Sequence, residues 1–142
     1  MAISNDTLDS DVFSEIRTIL VAAAPSVIDS LASPTVVSAA INATFNDKQT
    51  TIPQIVINPI ELDESMFKFG SVQGRKIINA EIECYARISD YIDQLAGQVR
   101  RVMLNNTLSG MDIIGITSDS GVTEANDVKW HRKSLVFSYM RE

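Results

Sequence analysis

The chain has 142 residues, of which 45% are apolar and 21% charged, and its formal net charge at pH 7 is −6. This size predicts a single domain, residues 1–142, with a core large enough to need no disulfide or structural metal. Cys84 is the single cysteine, which excludes an internal disulfide and a cysteine-based zinc site and fits a reducing compartment. The acidic balance argues against tight general binding to DNA, and no apolar run is long enough to span a membrane.

Residues 1–10 are polar and acidic, and we predict a mobile or partner-dependent leader without a signal peptide. A helix is predicted next, because apolar residues recur at helical spacing until Pro25 interrupts them. This stripe consists of Val12, Phe13, Ile16, Ile19, Leu20 and Ala23. From Pro25 to Ala43 two interpretations stay open: a short helix over Ser26–Leu31 with a turn after Pro34, or a loop that packs only in an oligomer.

A strand is predicted over Gln54–Leu62, where β-branched and apolar residues predominate. Pro59 lies within it and cannot donate to a ladder, so the strand is expected to be bulged there or to lie at an edge. The following segment, Asp63–Gly74, is predicted to be a loop. It contains Phe67 and Phe69, which either fold onto the chain's own core or contact a neighbouring subunit.

The clearest strand signal covers Lys76–Ile88, where apolar and polar residues alternate. The face predicted to be buried carries Ile78, Ala80, Ile82, Cys84, Ala86 and Ile88. Glu81 and Glu83 lie on the polar face. Paired carboxylates can perform acid–base catalysis, but without a nearby histidine or Asp-rich motif we predict a solvated or subunit-facing acidic patch.

A helix is predicted over Ser89–Asn105, followed by a strand over Met111–Thr117. Residues 118–127 are polar and are predicted to form an exposed hairpin loop. A long final strand is predicted over Val128–Arg141. This order predicts an α+β fold, in which a mostly antiparallel sheet has its helices packed on one face.

Catalytic signals are weak along the whole sequence. His131 is the single histidine, and no phosphate-loop, dinucleotide or metal-ligand pattern occurs. We therefore predict no enzyme activity, no cofactor and no metal. Residues 129–133 form the densest basic stretch, and Trp130, Arg132 and Lys133 leave three interpretations open: a subunit contact, a solvated strand, or weak contact with nucleic acid.

Charge is unevenly distributed along the chain. Residues 1–64 carry nine acidic and two basic side chains, and residues 65–142 carry nine acidic and ten basic ones. The imbalance indicates either a solvated acidic face or packing of the acidic part of one subunit against the basic part of the next.

The order of elements, with its ECYAR strand, amphipathic helix and closing FSYMR strand, resembles the tail terminator (tail completion) proteins of tailed bacteriophages. The resemblance runs from about Asp11 to Arg141. It is one of length, element order and general residue pattern, because that family has no invariant catalytic motif that could be matched. Its closest local similarities are Ile78–Arg87 running into Ile92–Val102, and His131–Arg141. Pro25–Ala43 departs from the family's pattern.

The resemblance implies an α+β subunit that forms a hexameric ring in the virion, at the neck between head and tail, after assembly in the host cytoplasm. Such a ring caps the head-proximal end of the tail tube, ends tube polymerisation and contacts the head–tail connector. Genomic DNA passes through its lumen without sequence specificity, and an acidic lumen suits this passage. The candidate interface residues are Phe67, Phe69, Glu81, Glu83, Trp130, Arg132 and Lys133.

Two alternatives remain open at this point. One is another virion protein: a different head–tail connector, a tube subunit or a sheath-end protein. The other is a small α+β enzyme or ligand-binding domain, which requires a pocket with converging polar groups.

Overall fold

A computed structural model shows the arrangement of this chain and describes residues 8–29, 35–48, 52–65, 75–108, 110–125 and 127–141. These residues form two helices and eight strands. The helices are α1, Leu8–Ala23, and α2, Ser89–Asn105. The strands are β1, Ser26–Asp29; β2, Thr35–Ser38; β3, Ala40–Asn42; β4, Gln54–Ile57; β5, Glu61–Ser65; β6, Arg75–Ala86; β7, Asp112–Ala125; and β8, Val128–Arg141.

One sheet organises the molecule, with strand order β3-β4-β6-β8-β7 and with β5 paired to β6. All pairs within it are antiparallel except β3 with β4. Strands β1 and β2 form a separate antiparallel pair. Helix α2 packs on β6 and β8, and α1 packs against α2 and β3. The predicted α+β fold with a mostly antiparallel sheet is therefore confirmed.

The core lies between α2 and the sheet face it covers, which we call the helix face. The predicted apolar side of β6 faces α2 from Ile78 to Ala86, and its side chains are at most 2% exposed. The buried stripe of α2 consists of Ile92, Leu95, Ala96, Val99 and Met103. Each large apolar side chain buried in this way stabilises the fold by roughly 1.5–3 kcal/mol. The alternation of β6 and the helical spacing of α2 thus fix which side of the sheet carries the helix.

Helix α1 differs at its start from the prediction and agrees at its end. It begins at Leu8, so residues 8–10 belong to the helix and not to a leader; residues 1–7 lie outside the described part of the chain. At the other end, Ala24 has a φ of 47°, and its N–H donates to the Leu20 carbonyl at 3.0 Å. Pro25 then follows, and the helix stops there as predicted.

The structure contradicts both interpretations of the segment from Pro25 to Ala43. Its described residues form β1, β2 and β3 rather than a helix or a loop. The partners that fix these strands are distant in sequence. Gln98 of α2 accepts from the Ser26 N–H at 3.1 Å and donates to the Ser26 carbonyl, and the Ala40 N–H donates to the Pro53 carbonyl at 2.9 Å. No local periodicity indicates such contacts.

Pro59 marks a bulge, which was one of the two outcomes predicted for it. Ile57 lies opposite Ile82 of β6, and Glu61 lies opposite Asn79. Residues 58–60 therefore lie opposite residues 80–81, three against two, and Pro59 is the middle one of the three. The extra residue separates β4 from β5, which follow each other along the same edge of β6.

The exposed loop predicted over residues 118–127 is wrong. Strand β7 continues through it to Ala125, which lies opposite Val128, so only two residues join β7 to β8. Asp127 in this turn has a φ of 62°, in keeping with the tight turns that join long hairpins. Serine, threonine and aspartate made the segment look like a loop, but they are tolerated in an exposed strand whose partner, β8, supplies the apolar residues.

Candidate functional site

The side of the sheet opposite α2 carries two adjacent rows of mostly polar side chains among the described residues, and we call it the polar face. Strand β6 contributes Asn79, Glu81, Glu83 and Tyr85. Strand β8 places Ser138, Val136, Ser134 and Arg132 directly opposite them. Because side chains of opposed residues share a face, these two rows lie side by side.

Asn58 connects the two glutamates of this face. Its Nδ2 donates to Glu81 Oε1 at 2.5 Å and to Glu83 Oε1 at 2.7 Å. The backbone N–H of Asn58 also donates to the Glu81 carbonyl at 3.0 Å. Asn58 is the residue immediately before Pro59, at the start of the bulge. The bulge therefore ends the β4 ladder at the point where this amide reaches both carboxylates.

Hydroxyl groups satisfy the remaining carboxylate oxygens. Ser134 Oγ donates to Glu81 Oε2 at 2.8 Å, and the Tyr85 hydroxyl donates to Glu83 Oε2. Burial and this hydrogen bond raise the pKa of Tyr85, so the hydroxyl remains a neutral donor at physiological pH. Hydrogen bonds to a charged acceptor are stronger than those between neutral groups. The two negative charges are thus held in fixed positions rather than on freely moving side chains.

A groove lies beside the carboxylates. Its volume is about 310 Å³, and it is lined by Asn58, Pro59, Asn79, Glu81 and Val136. Further along the same row, Ser138 Oγ donates to Asn79 Oδ1 at 2.7 Å. The arrangement gives an anionic, hydrogen-bonded surface that repels phosphate groups and favours cationic ones.

An aromatic cluster covers one end of the polar face. The ring of Phe45 lies 4.6 Å from that of Tyr85 and 5.4 Å from that of Trp130, measured between centroids. Trp130 is fully buried, and among the described atoms its Nε1 has no hydrogen-bond partner. The structure therefore corrects the prediction that Trp130 anchors a subunit interface, because its side chain packs inside the chain together with Val56.

The basic stretch 129–133 does not form one patch, because alternate residues of β8 point to opposite faces. Arg132 lies on the polar face, with Nη2 3.7 Å from Asp119 Oδ2. Lys133 lies on the helix face, with Nζ 3.2 Å from Asp93 Oδ1. Both cations are paired within the chain. This separation is a correction to the single basic surface considered from the sequence.

Three of the seven candidate residues thus meet on the polar face with accessible side chains: Glu81, Glu83 and Arg132. Trp130 lies on the same side of the sheet but is buried in the aromatic cluster, and Lys133 lies on the other side of the sheet. Phe67 and Phe69 fall outside the described residues. Their predicted contact with a neighbouring subunit stays a prediction.

Sequence reasoning missed Asn58, Ser134 and Tyr85 as partners of the carboxylates. One signal was present, since the alternation of β6 already placed Tyr85 on the same face as Glu83. Ser134 could be assigned only once β8 was paired in register with β6. Asn58 depends on the bulge, whose exact position a proline alone does not specify.

The residues that a hydrolytic site needs are dispersed. His131 lies opposite Ala86, on the helix face and so on the other side of the sheet from both glutamates. Cys84 is buried in the core, and burial raises the pKa of its thiol to about 12. Within the described ranges, no three His, Cys, Asp or Glu side chains are grouped as metal ligands, and neither helix has the length and apolar character needed to cross a membrane.

No protein-family profile and no curated protein matches the chain. Its function must therefore be inferred from its own geometry and from the resemblance in element order described above.

Proposed function

We propose that this chain is a structural virion protein, a tail terminator whose copies form a ring at the head-proximal end of a phage tail tube. The ring is hexameric, ends tube polymerisation and joins the tail to the head connector. Genomic DNA passes through its lumen, and the role requires no cofactor. Resemblance in length and element order supports this proposal, as does the α+β fold with helices on one sheet face.

The observation that carries the proposal is the pair of fixed carboxylates on the polar face. Glu81 and Glu83 are held by Asn58, Ser134 and Tyr85 on the side of the sheet opposite α2. If this face lines the lumen, it presents fixed negative charge to the phosphates of passing DNA. Repulsion then prevents the DNA from adhering to the wall of the channel.

The role is tested by deleting the gene from the phage that encodes it. We expect tails of abnormal length and heads without tails in negative-stain micrographs, because nothing caps the tube or joins it to the connector. Tails of normal length attached to heads would overturn the proposal.

The orientation of the polar face is tested by reversing its charge. We expect the double variant Glu81→Lys, Glu83→Lys to slow DNA ejection from assembled particles at least tenfold, because cations bind phosphates. Asp90→Lys, at an exposed position of α2, is the matched control and should eject DNA at the normal rate. The double variant Glu81→Gln, Glu83→Gln tests the same face with side chains of similar shape. Unchanged ejection in assembled particles of all variants would exclude this face from the lumen.

A tube subunit is the second candidate, because β7 pairs with β8 alone among the described strands and leaves one long edge open. Native mass spectrometry of the purified protein separates the two roles. A terminator gives closed rings of one mass, whereas a tube subunit polymerises into open-ended assemblies.

A further inference from the structure

Strand β7 has an outer edge that is unusually long and open. It spans Asp112–Ala125 and pairs only with β8 among the described strands. None of its side chains is fully buried, and Val122 is 55% exposed. An unpaired edge presents a row of backbone N–H and C=O groups that another strand can bind.

Strand β7 has few of the features that usually keep an exposed edge from pairing with another strand, namely basic residues, prolines and bulges. Between Gly115 and Thr123 there is no lysine, arginine or proline. The single acid in that stretch, Asp119, is directed toward Arg132 on the neighbouring strand. The register shift of the β7–β8 pair lies at one end, between Ile113 and Gly115, and leaves the remainder regular.

Charge selects among the described strands that have an edge with no partner among the other described strands. Strand β7 contains Asp112, Asp119 and Glu124 and no base, and β5 contains three acids in five residues. Pairing β7 with a second β7 or with β5 brings like charges together, which is unfavourable. Strand β2 has the uncharged sequence TVVS, rich in residues that favour strands. Strand β3 is also uncharged but has only three residues.

Among the described strands, β2 also has only one neighbour. It pairs with β1 alone, and β1 is tied to α2 through the two hydrogen bonds between Gln98 and Ser26. A two-stranded sheet is marginally stable in water and gains from a third strand.

We propose that β2 of one copy adds to the outer edge of β7 in the next copy. The contact is head-to-tail, which is the kind of contact that ring closure requires. The inference rests on the proposed ring only for the presence of a neighbouring copy, and it names the two strands that join the subunits.

Disulfide trapping tests this contact, because buried Cys84 leaves little competing thiol. Val37→Cys is introduced into a tagged copy, and Ser118→Cys, Ser120→Cys or Val122→Cys into an untagged copy. Tagged and untagged proteins are mixed and oxidised with glutathione disulfide. We expect a tagged–untagged dimer at one β7 position, at least tenfold above the control. The control replaces the β7 variant with Val21→Cys, an exposed valine of α1.

Three results would overturn the inference. In the first, Val37→Cys cross-links to the β7 cysteines no better than to Val21→Cys. In the second, the dominant dimers join two β7 cysteines. In the third, the protein stays monomeric at every concentration. If closed rings form without the β2–β7 cross-link, this contact is wrong and the ring proposal stands. If the gene deletion gives normal virions while the cross-link forms, the virion role is wrong and the contact stands.

Discussion

Neighbouring side chains decide what a given residue does in this protein. Glu83 is fixed because Asn58 and Tyr85 both donate to it, so its charge has a defined position. Trp130, which looked like an exposed anchor, fills the space beside Phe45 and Tyr85. Strand β8 thus contributes Arg132 to the polar face and Trp130 to the buried aromatic cluster.

Ala24 is held in a left-handed backbone conformation with a φ of 47°. This conformation costs a residue with a side chain about 1–2 kcal/mol, whereas glycine adopts it freely. Glycine also makes the unfolded chain more flexible, which offsets about 0.4–1 kcal/mol. We expect Ala24→Gly to raise the free energy of unfolding by about 0.5–1 kcal/mol in urea denaturation. Ala22→Gly, which falls within the last turn of α1, should instead lower it by roughly 0.5–1 kcal/mol.

Cys84 makes stability depend on alkaline pH. Burial raises the pKa of its thiol from the ordinary value of 9.0 to about 12. Above pH 9 the unfolded chain loses this proton and the folded chain keeps it, so stability falls by about 1.4 kcal/mol per pH unit. The contribution is complete below pH 9 and is lost progressively up to about pH 12.

We therefore expect the stability advantage of the native chain over Cys84→Ala to shrink between pH 8 and pH 10.5, measured by urea unfolding under reducing conditions. Tyr139, whose pKa burial raises to about 12, adds a similar decline that both proteins share. A difference that does not change over this range would contradict the burial of the thiol.

Elements with strong periodicity could be predicted from the sequence, and those defined by distant partners could not. Helix α2 begins and ends where its apolar spacing predicted, and β6 differs from its prediction by one or two residues at each end. Strands β1 to β3 are short and depend on contacts with α2 and β4. The site shows the same division: alternation placed Glu81 and Glu83 on one face, but the Asn58 bridge depends on a bulge and on tertiary pairing.

The open edge of β7 can be probed by proline at two consecutive positions, Thr117 and Ser118. Successive N–H groups of a strand point in opposite directions, so one of them faces β8 and the other faces outward. We expect one variant to lose about 3 kcal/mol of stability and the other to remain near the native value. The stable variant should fail to assemble in native mass spectrometry. Equal destabilisation of both variants would show that the outer edge is already paired within the subunit.

At the scale of the whole molecule, the sheet separates two apolar clusters. The larger one lies on the helix face and contains Cys84, and the smaller one lies at one end of the polar face and contains Trp130. The sheet connects them through alternate residues of the same strands, so we predict that they unfold together as one domain.

Two native probes test this prediction of a single cooperative unit. Trp130 fluorescence reports the smaller cluster, and the reactivity of Cys84 toward a thiol reagent reports the larger one. We expect the same urea midpoint from both probes. Midpoints that differ beyond experimental error would show that the chain contains two separately unfolding parts.

The position of β8 has a consequence for how the chain reaches its folded state. This strand pairs with β7 through a two-residue turn and with β6 across all of α2 and β7. A hairpin of this kind forms within microseconds, whereas joining distant strands requires closing a long loop and is slower. Because β8 follows every other described element along the chain, β6 leaves the ribosome well before β8, the strand with which it pairs in the middle of the sheet. Completion of the sheet is therefore expected to follow synthesis of β8, with the β7–β8 hairpin docking onto β6 as the slower step.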